Sequence, residues 1–138
     1  MKAVPPLVAV IDDEEPVRIA LARLLRIHGL RVATFGSGES FLLGLADCDP
    51  GCALLDLQMP GLTGFDVLKR LNPGSGGLPV VIMTAHDEPG LQETCMLRGA
   101  AAYLLKPLDG EALVQAISSA LARKGSNQGV ATVSDESP

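Results

Sequence analysis

Short apolar runs alternate along this chain with segments whose apolar residues return every three or four positions. "LVAVI" (7–11), "CALLD" (52–56), "PVVIMT" (79–84) and "AYLL" (102–105) are nearly continuous, and "RVATF" (31–35) alternates. These five read as strands. In 14–29, Val17, Leu21, Leu24 and Leu25 fall at helical spacing, with Pro16 suited to a first turn and Gly29 to a stop. Ser37 is placed to cap a second helix through Phe41, Leu42 and Leu45. Gly64 to Leu71 reads as a third helix, followed by a flexible link, "NPGSGG" (72–77). A fourth helix is expected from about Gly90 to Arg98, though its apolar stripe is thin and Pro89 and Gly90 delay its start. Asp109 is placed to cap the last, whose apolar face is Leu113, Ile117, Ala120 and Leu121.

Five strand–helix units of this kind predict an α/β fold. Strands apolar throughout need cover on both faces, which means a parallel, doubly wound sheet. After Arg123 the periodicity lapses: "KGSNQGVATVSDESP" is small and polar. The expected organisation is therefore one folded domain over 1–123 and a flexible tail or linker over 124–138.

Composition narrows the function. With 138 residues, 47% hydrophobic and 20% charged, the chain can bury one core. Aromatics are only 3%, so that core must be aliphatic. A net charge of −5 argues against nucleic-acid binding by this segment, which would need surplus Lys and Arg. No apolar run spans a membrane, and the opening Met-Lys-Ala-Val-Pro-Pro does not read as a signal peptide. The cysteines, Cys48, Cys52 and Cys95, are odd in number and lack neighbouring metal ligands; structural thiols in a reducing, cytoplasmic setting are expected.

The strand ends carry the chemistry. In open α/β sheets ligands bind beyond the carboxyl ends of the strands. The first strand ends in Asp12-Asp13, the third in Asp56, the fourth in Thr84 and the fifth in Lys106-Pro107; only the second, ending at Phe35-Gly36, brings nothing ionic. Each has an ordinary explanation alone: turn former, helix cap, strand hydroxyl, surface lysine. Together they would gather carboxylates that repel unless a cation joins them. A hard divalent ion suits that set, with Mg2+ leaving positions for phosphoryl oxygens, while Lys106 and Thr84 add a charge and a hydroxyl. The array reads as a phosphoryl clamp around one nucleophilic oxygen.

"VIDDEEPVR", "LLDLQMPGLTG", "VVIMTAHD" and "AYLLKPLDGEAL" resemble, in order and spacing, the signatures of bacterial response-regulator receiver domains, over about residues 6–123. The resemblance implies a flavodoxin-like sheet of order 2-1-3-4-5. It implies that Asp56 accepts a phosphoryl group from a sensor histidine kinase or phosphotransfer protein. Mg2+ would be held by Asp13, Asp56 and the backbone carbonyl of Gln58, with Asp12 acting through water. Lys106 would pair with the phosphoryl group, and its bond to Pro107 would be cis. Thr84 and Tyr103 would form the switch, and the face of the fourth helix, fifth strand and fifth helix would carry the change to a downstream protein or output domain. A phosphorylation-dependent homodimer would be one form of that relay.

Rival readings fit less well. A dinucleotide enzyme would want G-x-G-x-x-G, but "FGSGESF" (35–41) has Phe41 at the third glycine. An aspartyl phosphatase would normally place an acid two residues after its nucleophile, where this chain has Gln58. The alternative kept is a DNA-binding transcriptional regulator whose output domain is missing from this segment. The expected role is a signalling switch with slow self-dephosphorylation, not a metabolic enzyme.

Overall fold

The computed structural model describes residues 4–71 and 77–133, and of residues 124–133 the backbone alone. Elements run β1 (Leu7–Ile11), α1 (Glu15–Ile27), β2 (Arg31–Phe35), α2 (Gly38–Cys48), β3 (Cys52–Asp56), α3 (Gly64–Leu71), β4 (Val80–Thr84), α4 (Leu91–Leu97), β5 (Ala102–Leu105) and α5 (Gly110–Val133). All strand pairs are parallel, in the order β2-β1-β3-β4-β5. This is the sheet expected, and the register brings the carboxyl ends together: Ile11 pairs with Leu55, Asp56 with Met83, and Thr84 with Leu105.

The central strands explain their own sequences. Every residue of β3 and β4 is buried, so neither has a polar face to show. Alternate residues feed two cores. Ala9, Ile11, Ala53, Leu55, Val80 and Ile82 pack on one side with Phe41, Val67 and Leu68. Val8, Val10, Leu54, Val81 and Met83 pack on the other with Leu21, Leu25, Leu113 and Ile117. Thus α2, α3 and α4 cover one face while α1 and α5 cover the other. Cys52 and Cys95 lie inside these cores and Cys48 is half-buried, as structural thiols would be.

Local signals worked as chemistry demands. Pro16 sits in the first turn of α1, and Gly29 takes φ +85° beyond its end. The Ser37 side chain accepts from the Ser40 N–H at 3.0 Å, and Asp109 accepts from the Ala112 N–H at 2.9 Å. The fourth helix is short, with Gly90 in the left-handed region at its start and Cys95 as its one buried residue. That single anchor is the thin stripe seen in sequence. The Lys106–Pro107 peptide is cis.

One element differs. Helix α5 runs on past Arg123 to Val133, where the sequence pattern predicted irregular chain. Extending an existing helix needs no new nucleus, so backbone hydrogen bonding can outlast the apolar stripe. Residues 134–138 of the expected tail, and residues 72–76 of the expected link, lie outside the described residues.

Candidate functional site

Two carboxylates at the strand ends are buried. Asp12, just after β1, has no exposed surface, and Asp56, closing β3, keeps 2%. Buried anions need a cation or a proton, and Lys106 supplies the first. Its Nζ lies 2.8 Å from Asp12 Oδ2 and 3.6 Å from Asp56 Oδ2. Its backbone N–H meanwhile donates to the Thr84 carbonyl at 2.9 Å. One residue thus joins the ends of β1, β3 and β4 from the end of β5.

Backbone donors complete the frame. Asp12 Oδ1 accepts from the Glu14 N–H at 2.9 Å, and Asp56 Oδ1 from the Gln58 N–H at 3.2 Å. Strand β2 contributes after all, through its main chain: the Phe35 carbonyl accepts from the Asp12 N–H at 3.1 Å. Thr84 is buried, its hydroxyl donating to the His86 carbonyl at 3.3 Å and accepting from the His86 N–H at 3.1 Å. Tyr103 stands apart from this group. Its hydroxyl donates to Asp87 Oδ1 at 2.9 Å, across the β4–α4 loop.

The electrostatics follow. Burial and the adjacent Asp12 charge push Asp56 up to about 6, against the pull of the Gln58 N–H and of Lys106. Burial would lower Lys106, but its hydrogen bond to Asp12 and the two carboxylate charges overcome this and raise it. Tyr103 is pushed up to about 12, first by burial and then by its bond to Asp87. Lys106 leaves the acidic group incompletely neutralised, and this is where a metal fits. Asp12, Asp13 and Asp56 each present a carboxylate oxygen, all within 4.8 Å of one another. Such a set of hard oxygen donors can hold a metal ion, and Asp13 is its exposed member.

Five contributing residues escaped the sequence reading. Gly64 opens α3 so close beneath Asp56 that a Cβ there would overlap the Asp56 carbonyl and lie 2.7 Å from Leu57 Cα. Thr63 and Asp66 cap α3 reciprocally, the Asp66 N–H donating to Thr63 Oγ1 at 3.2 Å and the Thr63 N–H to Asp66 Oδ2 at 3.1 Å. The T-x-x-D spacing was a usable signal for that cap. Arg18 donates to the Asp12 carbonyl at 2.7 Å, and Asp87 holds Tyr103. Neither of these has a local pattern to betray it.

The response regulator receiver domain model matches residues 8–118. The chain belongs to this family. It is a receiver domain of two-component signalling, in which phosphorylation on an aspartate is typical and histidine kinases and output domains are the usual partners. It is similar to the transcriptional regulatory protein FixJ of Azorhizobium caulinodans, 40% identical over 84% of this chain and 55% of that protein. It is 36% identical to the DNA-binding transcriptional regulator NtrC of Salmonella typhimurium, over 83% of this chain and 24% of that protein. The crystal structure of a response regulator receiver protein from Burkholderia phymatum superposes with a TM-score of 0.75 at 40% identity, covering 85% of this chain and 95% of that one. The receiver chain thus spans about half the length of its FixJ relative and about a quarter of NtrC. Among its described residues no helix is long and apolar enough to cross a membrane.

Proposed function

We propose that this receiver accepts a phosphoryl group on Asp56 from a phosphohistidine of a sensor histidine kinase or phosphotransfer protein. The observation that carries the reading is the Lys106 ammonium bridging two buried carboxylates, one of them at the sheet's central strand end. An Asp56 carboxylate oxygen attacks phosphorus, a P–O bond forms, and the P–N bond breaks with its electron pair returning to imidazole. Lys106 then exchanges a carboxylate partner for a phosphoryl oxygen. Thr84, now bonded to the His86 backbone, turns its hydroxyl to another oxygen, and Tyr103 leaves Asp87. The α4–β5–α5 face carries the change outward, to an output domain, a downstream protein or a second copy. Asp13, Asp56 and the Gln58 carbonyl would hold Mg2+, with Asp12 acting through water. That ion would neutralise charge building on the phosphoryl oxygens.

The switch is electrostatic. The new group adds about −1.5 to −2 charge and three acceptor oxygens beside Lys106, biasing a fold that samples two arrangements. Self-hydrolysis of the acyl phosphate ends the signal slowly. The setting proposed is cytoplasmic. Because the chain covers only part of FixJ and NtrC, a second reading makes it the receiver portion of a DNA-binding regulator, with 124–138 as the linker; DNA contact would then belong to the missing domain. Incubation with acetyl phosphate and Mg2+ tests the acceptor: label that is alkali-labile and absent from Asp56→Asn is expected. Full labelling of that variant would refute the assignment.

A further inference from the structure

Helix α1 and β2 border a cleft of about 510 Å3 on the flank of the domain. Three of its lining residues are Arg18, Arg23 and Arg26. On a chain of net charge −5 this is a local reversal of sign. None of the three is in an ion pair with a carboxylate among the described residues, although Glu15 also borders the cleft. Between them stand apolar groups that the fold leaves uncovered, Ile19 at 51% exposure and Ile27 at 74%.

Thr34 brings the cleft against an edge strand. β2 is an outermost strand, paired on one side only. Its Arg31 N–H and Phe35 carbonyl turn inward, to Pro6 and Asp12. By alternation, the main-chain groups of Val32 and Thr34 turn outward. The Val32 carbonyl is met only at 3.4 Å, by the Arg26 guanidinium. An open edge of this sort is a template for one more strand.

We propose that this cleft docks an acidic polypeptide segment in extended form, its main chain pairing with Val32 and Thr34, its carboxylates meeting Arg23 and Arg26, and its apolar residues covering Ile19 and Ile27. Charge complementarity selects the acid, the free edge selects a strand, and the isoleucines select a segment that is not acidic throughout. A nucleic acid fits less well: no aromatic residue lines the cleft for stacking, and the domain as a whole would repel phosphates. Arg18 is already bonded to the Asp12 carbonyl, so an occupant would lie one side chain from the acidic site.

The test uses the whole chain, 15N-labelled, with a short peptide alternating Glu and Val as probe. Amide shifts confined to Val32–Thr34 and Arg23–Ile27 are expected. Arg23→Glu with Arg26→Glu should weaken binding at least about tenfold while leaving the melting temperature and acetyl-phosphate labelling unchanged. Absence of shifts, binding undiminished in the double variant, or equal binding of a Lys–Val peptide would overturn the proposal. So would equal binding of a single-stranded oligonucleotide, which would mark an anion surface without strand recognition. Self-association of the chain at low salt, abolished by the double variant, would replace the acidic segment with a second copy and equally overturn it.

Discussion

Replacing Asp56 by Asn should make the metal-free domain more stable. Asp56 titrates near 6 in the fold against 3.8 unperturbed, so the unfolded chain ionises first as pH rises. The folded state holds the extra proton between these values, and stability drains away across that window. Above it the full cost of the buried charge remains. Roughly two units, at about 1.4 kcal/mol each, put that cost near 3 kcal/mol. Asparagine keeps the shape and an oxygen for the Gln58 N–H but carries no charge. It should recover about 1–3 kcal/mol, a rise of about 4–10 °C in Tm for a domain of this size. Urea or thermal melts in EDTA at about pH 8 measure the difference, and repetition at about pH 4 should shrink it, since the native carboxyl is then largely protonated. Saturating Mg2+ should also narrow the gap, because an ion held by the proposed site would stabilise the aspartate form by mass action. An asparagine variant less stable than the parent in EDTA, or a gap independent of pH, would refute the electrostatic account.

Gly64→Ala should cost at least about 2 kcal/mol, because its methyl meets rigid backbone at Asp56 and Leu57; denaturant midpoints report it. Lys106→Met should stay folded but lose about 1–3 kcal/mol without metal, since Asp12 and Asp56 then face each other unpaired; an unchanged melt would remove the lysine from the charge balance. Tyr103 is the chain's one tyrosine, so phenolate absorbance after a rapid pH jump reads it alone. Its midpoint near 12 should fall in Asp87→Asn, and a fixed midpoint would show that Asp87 does not hold it.

The sequence was most informative where the sheet is most enclosed. β1, β3 and β4 announce themselves as apolar runs because nearly every position faces a core. The polar residue that ends each run is therefore conspicuous, and Asp12, Asp56 and Thr84 are all found buried there. What periodicity cannot tell is how adjacent acids divide the work. Asp12 is inside and paired with Lys106 while Asp13 is exposed, a difference set by where β1 stops. Gly64 was hidden for a related reason: its constraint is a close approach between backbones eight positions apart in sequence, which leaves no side-chain pattern. The extension of α5 past Arg123 escaped because its small, polar sequence repeats no apolar residues at helical spacing and so offers no period to detect.

Lys106 has a geometry that reaches beyond charge. Its main chain is fastened to the end of β4 at Thr84, while its tip is fastened to the end of β1 at Asp12. It is a tie rod laid across the crest of the sheet, spanning the strand between them. Any event that re-aims the tip undoes the fastening at β1 while the main-chain fastening at β4 can stay in place.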